Sequence, residues 1–212
     1  MSTSDQNTLS RGDSASLVGF AIAGVAIAAW ISTVAAIRII ELARGTNVPV
    51  ALEFVDGVAE VPLTEGAGSV PIELDRGILV APQLTPIAIV PGILGQVITI
   101  LTICTVIGCL ILLSRSLLRG VVFGRGNTRL VATAGITALV GFAAVQFFDN
   151  MLANATVSIV TDNAIDTAVI SVEPFTFVLA AFVFAVIGTV FTVGDRLQRE
   201  KVTLEKETEG LV

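Results

Sequence analysis

Four long apolar stretches constrain the fold of this chain more than any other feature of its sequence. They occupy residues 17–41, 87–113, 130–151 and 174–194. A helix needs about 20 apolar residues to cross the hydrocarbon core of a bilayer, and each stretch is at least that long. Only 14% of the residues are charged, about half the fraction of an ordinary soluble domain. We therefore predict a mainly α membrane protein, a four-helix transmembrane bundle.

The basic residues predict how these spans are oriented. Nine of the 12 lysines and arginines lie in the N-terminal tail 1–16, the loop 114–129 or the C-terminal tail 195–212. Because short cytoplasmic loops carry an excess of Lys and Arg, we expect both termini and this loop to be cytoplasmic. The first apolar stretch is longer than the roughly 7–15 residues of a signal-peptide core, which predicts an uncleaved span. We expect a multi-pass protein of the bacterial inner (plasma) membrane.

The two loops on the opposite side, 42–86 and 152–173, have the sequence pattern of strands. VPVALEF and SVPIELDRGILV in the first loop alternate apolar with smaller or polar residues, as half-buried strands do. The second run is interrupted by Asp75-Arg76-Gly77, a turn signal. ATVSIVTDN and TAVISVEP in the other loop alternate in the same way. We predict a small extracytoplasmic β cap built from both loops, which either only ties the helices together or binds a ligand or partner.

The connector GVVFGRGNTRL, residues 120–130, contains three glycines and two arginines. It lacks the Gly-Lys-Ser/Thr ending of a phosphate-binding loop, and Arg129 stands where a dinucleotide fingerprint needs its third glycine. We interpret it as a basic cytoplasmic connector. The alternative is a segment that lies on the membrane surface and binds anionic lipid headgroups.

Few polar side chains fall inside the predicted spans. Arg38 and Asp149 lie in the last turns of the first and third spans, at matching depths on the outer side. They predict an ion pair, shared with Glu41 or Asn150, that serves as a structural clamp; the alternative is a gate or a substrate contact. We expect Gln96 and Gln146 to form hydrogen bonds between helices rather than to bind a ligand.

No group of residues in the sequence indicates catalysis. The chain has no histidine and no tyrosine, and its two cysteines, Cys104 and Cys109, lie about 140° apart around one helix. We therefore expect no enzymatic activity, no metal and no cofactor. The net charge of −6 argues against direct nucleic-acid binding.

Two segments resemble a known but uncharacterised protein family. LLSRSLLRGVVFGRGNTRLVATAG is similar to the cytoplasmic loop of a bacterial four-span family, domain of unknown function 2975. The similarity lies in a motif whose matching positions are Gly120, Phe123, Asn127, Arg129, Leu130 and Gly135. Val122 replaces the family's proline, and the C-terminal FTVGDRLQRE…TEGLV resembles the family's closing pattern. The resemblance implies a membrane partner for a soluble helix-turn-helix regulator.

Two hypotheses of function follow from the sequence. The first is a non-enzymatic interaction or regulatory protein that links the membrane or outer face to a soluble cytoplasmic regulator through the basic loop and the charged, helical tail. The alternative is a small transporter, or an accessory subunit of a transport complex, with a polar path along Gln96, Gln146, Arg38 and Asp149. Other expected partners are the lipid bilayer with its anionic headgroups, a second copy of the chain, or a membrane subunit.

Overall fold

The computed structural model describes residues 11–62, 69–119, 124–160 and 174–209. These residues form four long helices and one hairpin in the order α1 (Arg11–Arg44), β1 (Thr46–Pro62), β2 (Ser69–Gln83), α2 (Pro86–Leu118), α3 (Arg125–Val160) and α4 (Pro174–Glu209). Each helix contains a segment long and apolar enough to cross a membrane. The structure thus confirms the prediction of a mainly α protein with four helices that can each span a membrane.

The chain forms two compact units. The first, which we call the arginine-rich unit, comprises Met1–Thr33, Ile100–Gly141 and Pro174–Val212. The second, which we call the hairpin unit, comprises Val34–Thr99 and Phe142–Glu173. Helices α1, α2 and α3 each contribute one part to each unit, whereas α4 belongs entirely to the arginine-rich unit.

Small residues bring consecutive helices close together inside the arginine-rich unit. A Cβ atom added to Gly24 of α1 would lie 3.4 Å from Ile107 of α2, and Ser32 Oγ lies 4.0 Å from Cys104 Sγ. Gly24, Ala28 and Ser32 recur every four residues and therefore share one helix face. This face packs α1 against α2.

The hairpin is a two-stranded antiparallel sheet in which Val48 pairs with Ala81 and Val50 with Leu79. It confirms the strands predicted in loop 42–86. The predicted turn at Asp75-Arg76-Gly77 is wrong, because β2 runs through it, with Arg76 paired to Glu53. The irregularity is instead a β-bulge between Glu53 and Gly57 on the partner strand, where extra residues are accommodated without ending the ladder.

The base of the hairpin is buried against helix ends. Val48, Val50 and Leu52 alternate with exposed neighbours and pack with Leu42 of α1 and Leu152 of α3. Burial of each such side chain contributes about 1.5–3 kcal/mol, and a two-stranded sheet needs this support in order to be stable. The hairpin is thereby fixed to the helices of its own unit.

Gly45 makes the turn from α1 into β1. Its φ of 65° belongs to the left-handed region, which favours glycine at a helix end. Its N–H donates a hydrogen bond to Leu42 O, and its carbonyl accepts one from Leu84 N–H. The same residue therefore ends the helix and ties it to the residue that follows β2 at the base of the hairpin.

The strand predicted at ATVSIV, in loop 152–173, is wrong for residues 155–160. Helix α3 continues through them to Val160. Leu152, Ala153, Thr156 and Val157 are buried, and positions spaced by one, four and five residues lie on a single helix face. Tertiary packing of this face overrides the strand propensity of the β-branched residues. The second run, TAVISVEP, begins in 161–173, which lies outside the described residues.

The basic connector is shorter than the predicted loop 114–129. Helix α2 extends to Leu118 and α3 begins at Arg125, so both ends of the predicted loop are helical. The prediction that the tail continues the fourth span as a helix is confirmed up to Glu209. The boundaries differ because a hydropathy pattern marks where apolar residues end, whereas helices continue into polar sequence.

Gly141 should be essential for the packing of α2 against α3. A Cβ atom there would lie 2.1 Å from Thr102 Oγ1 and 2.9 Å from Thr102 Cβ, so rotating the threonine side chain cannot relieve the overlap. We expect Gly141→Ala to destabilise the protein by about 1–3 kcal/mol, measured by thermal unfolding in detergent with Trp30 fluorescence.

Gly108→Ala in α2 is the matched control, since no atom of the described residues, apart from the adjoining backbone of its own helix, lies within 4 Å of its added Cβ. Equal melting temperatures for the two variants would contradict this account of the helix packing.

Candidate functional site

A polar pocket of about 250 Å³ lies between the first two turns of α3 and helix α4. It is lined by Arg125, Thr128, Arg129, Ala132 and Asp195. The first four come from the connector motif and the turn that follows it, and the fifth comes from the start of the charged tail. The structure thus brings together the two segments that the sequence predicts as cytoplasmic interaction surfaces.

Helical spacing explains why these α3 side chains share the pocket. Arg125, Thr128, Arg129 and Ala132 are separated by three, four and seven residues, which places them on one helix face. The first turn is fixed by Thr128, whose N–H and hydroxyl both donate to Gly124 O, at 3.0 and 3.3 Å. The guanidinium groups of Arg125 and Arg129 therefore extend from a first turn of α3 that is held by hydrogen bonds.

Among the described residues that line this pocket, Asp195 supplies the only carboxylate. Its side chain is 17% exposed and forms an ion pair with Arg199, one turn further along α4. Two arginines from α3 therefore face one carboxylate that is already paired, so the lining carries an excess of positive charge. Such a site attracts anionic groups.

Beyond the pocket, the tail helix is stabilised by a second pair of charges. Arg196 Nε lies 2.8 Å from Glu200 Oε1, and both side chains are mainly exposed. Pairs four residues apart stabilise a helix by about 0.3–0.5 kcal/mol each. The effect is small for each pair, but both pairs favour a helix in the segment that follows the span.

The remaining motif residues have structural roles in α3. A Cβ atom on Gly135 would lie 3.0 Å from the ring of Phe184, so the glycine sets the spacing between α3 and α4. Asn127 is 4% exposed and has an interaction partner, and Leu130 is half-buried. Gly120 and Phe123 lie outside the described residues. Asn127 therefore lacks the exposure that direct contact with a soluble partner requires.

Of the predicted partners of Arg38, Glu41 forms a direct ion pair with it. Arg38 Nη1 lies 3.0 Å from Glu41 Oε2, and Nη2 donates a hydrogen bond to Pro49 O. Asp149 is attracted electrostatically by Arg38, and a Cβ atom on Gly95 would lie 3.4 Å from Asp149 Oδ1. Arg38 thus connects the end of α1 to β1.

The other polar residues of the predicted spans are only partly buried. Gln96 and Gln146 are half-buried, and Gln146 has an interaction partner. Neither residue lines the polar pocket, which lies in the other unit. Among the residues that the structure describes, no three His, Cys, Asp or Glu side chains are grouped so that they could hold a metal ion.

Comparison with known proteins finds no relative. No family model matches the chain, and neither a curated protein nor a solved structure is significantly similar to it. The resemblance to the four-span family therefore stays a prediction.

Sequence reasoning missed Thr128, Ala132 and Asp195 as pocket residues. The helical spacing of Arg125, Thr128, Arg129 and Ala132 is visible in the sequence, but it is informative only once α3 is known to begin at Arg125. The position of Asp195 depends on how α4 packs against α3, which no local pattern encodes.

Asn127→Ala should lower the stability of the folded protein. Removing a buried polar side chain leaves its partner without a hydrogen bond, which costs about 1–3 kcal/mol. We expect a lower melting temperature in detergent. Thr133→Ala, at an exposed position of the same helix, should change the free energy of unfolding by no more than about 0.5 kcal/mol. An unchanged melting temperature for Asn127→Ala, together with lost partner binding, would show that Asn127 contacts the partner instead.

Proposed function

We propose that this chain is a non-enzymatic membrane protein that binds a soluble cytoplasmic protein through the α4 tail, residues 195–209. The observation that most supports this proposal is that α4 runs without interruption from its apolar segment to Glu209. A continuous helix connects the span mechanically to a water-exposed surface. A partner bound to the tail is then coupled to the packing of the span.

The two faces of the tail helix differ in a way that supports this role. Asp195 and Arg199 lie on the face that forms the polar pocket with α3. Leu197 and Leu204 lie within about 20° of each other on the opposite face. Their exposed fractions are 59% and 63%. One face thus meets α3 at Asp195, while the other presents apolar side chains among charges, as protein interfaces do.

The orientation of the proposed surface rests on the arginine distribution. The start of α3 and the tail carry Arg125, Arg129, Arg196, Arg199 and Lys201, and such residues accumulate on the cytoplasmic side of spans. Both termini are cytoplasmic in this proposal, and the hairpin is extracytoplasmic. The membrane is the bacterial inner membrane, and the partner is a soluble regulator.

Affinity purification in mild detergent, followed by mass spectrometry, tests the tail surface. We expect a soluble protein to copurify with the wild type and to be lost from a truncation after Asp195. The double variant Leu197→Ser/Leu204→Ser should lose it as well, because it removes the apolar contacts while leaving both tail ion pairs in place.

The matched control is Val202→Ser, which changes a 45% exposed side chain about 140° around the helix from Leu197. It should retain the partner. Retention by the double variant would contradict the assigned surface. Copurification of membrane subunits alone would contradict the regulatory function and favour the accessory subunit of a transport complex.

A further inference from the structure

A second cavity of the arginine-rich unit lies between the beginning of α1 and the end of α2. Its volume is about 380 Å³, within the range of small-molecule sites. On the α1 side it is lined by Leu17, Val18, Ala21, Ile22 and Val25, and on the α2 side mainly by Ile111, Ser114 and Arg115. We call it the α1–α2 groove. The proposed protein partner does not use it.

The groove is apolar along most of its length, and its two polar side chains lie toward one end, which Leu118 also lines. The α1 side chains in it are all aliphatic, and Ile111 continues this apolar surface on α2. Ser114 and Arg115, which provide its polar side chains, are adjacent in the last turns of α2. Because Gly24 packs against Ile107, the α1 residues nearest Val25 lie toward the middle of the two helices. The polar end is therefore the one nearer the helix termini.

The hydrogen-bonding state of the two polar residues defines what they can bind. The Ser114 hydroxyl donates to Leu110 O at 2.9 Å, so its oxygen can still accept a hydrogen bond. Arg115 is exposed and carries five N–H donors. No ion pair among the described residues involves Arg115. The polar end can thus bind an anion through Arg115 and a hydroxyl donor through Ser114.

We infer that the α1–α2 groove binds one molecule of an anionic phospholipid. An acyl chain would lie along Val18, Ile22 and Val25, and the phosphate would bind the Arg115 guanidinium, which matches phosphate in a bidentate manner. A hydroxyl of the headgroup would donate to Ser114 Oγ. The apolar side chains of the groove thus match the acyl chain, and its two polar side chains match the phosphate and a headgroup hydroxyl of phosphatidylglycerol.

Charge complementarity favours a lipid over a second transmembrane helix. An apolar helix seated in the groove would cover Arg115 without supplying a counter-ion, which is costly in a low-dielectric environment. A lipid supplies both the apolar chain and the anion. Arg119, one turn beyond Arg115, adds a further positive charge at the same end of α2, where anionic headgroups are attracted.

Native mass spectrometry of the full chain in detergent tests this site. We would titrate phosphatidylglycerol and phosphatidylcholine separately and compare the bound fractions. The wild type should prefer phosphatidylglycerol. Arg115→Gln should weaken its binding about tenfold, since a charge-assisted hydrogen bond is lost. Ala21→Phe should weaken the binding of both lipids, because the larger side chain fills the apolar part of the groove without changing any charge.

Arg196→Gln is the matched control, because it removes the same charge from an 81% exposed side chain on α4. It should bind phosphatidylglycerol as the wild type does. Wild-type binding by both Arg115→Gln and Ala21→Phe would overturn the site, as would equal weakening by Arg196→Gln and Arg115→Gln. A dimer that Ala21→Phe dissociates would show instead that a second copy of the chain occupies the groove.

Discussion

The absence of water in a bilayer is the constraint on which the rest of this structure depends. A backbone amide or carbonyl in hydrocarbon must find its hydrogen-bond partner within the protein, and a helix satisfies these groups within one segment. The four apolar stretches therefore fold as helices of 33 to 36 residues. Their outward-facing leucine, isoleucine, valine and phenylalanine side chains are largely exposed, which is favourable against lipid and would be costly against water.

Because lipid tails are as apolar as the side chains, close packing rather than the hydrophobic effect must hold the helices together. The glycines of the arginine-rich unit supply the required close approach at Ile107, Thr102 and Phe184. The hairpin unit is different. Its core of Leu42, Val48, Val50, Leu52 and Leu152 is buried as in a soluble domain, and it fixes the hairpin to the helix ends.

The elements set by local chemistry could be predicted from the sequence. Apolar length predicts the four helices, and alternation predicts the hairpin strands. The predictions are wrong where tertiary packing determines the local structure. Residues 155–160 alternate as a strand does, yet they continue α3 because Thr156 and Val157 bury the helix face that Leu152 and Ala153 begin. Asp75-Arg76-Gly77 has turn chemistry, yet it stays in β2 because a bulge on β1 absorbs the irregularity.

The candidate site was only partly predictable for the same reason. The arginines of the connector are evident in the sequence, but the convergence of Arg125 and Arg129 on one pocket with Asp195 depends on the contact between α3 and α4. Arg38 illustrates the same limit. The sequence predicts an ion pair with Asp149 that Glu41 shares, and Glu41 lies one turn away on α1, whereas the contact with Pro49 O depends on the chain reversal at Gly45.

Trp30, the single tryptophan of the chain, provides the most direct measurement of whether these helices lie in lipid. It lies in α1 with 73% of its surface exposed, so in a bilayer its indole must contact acyl chains. The measurement is the fluorescence of the wild-type protein in vesicles containing lipids brominated near the ends of the acyl chains. We expect blue-shifted emission that is strongly quenched by bromine and is unaffected by aqueous iodide. Red-shifted emission quenched by iodide but not by bromine would contradict the transmembrane account.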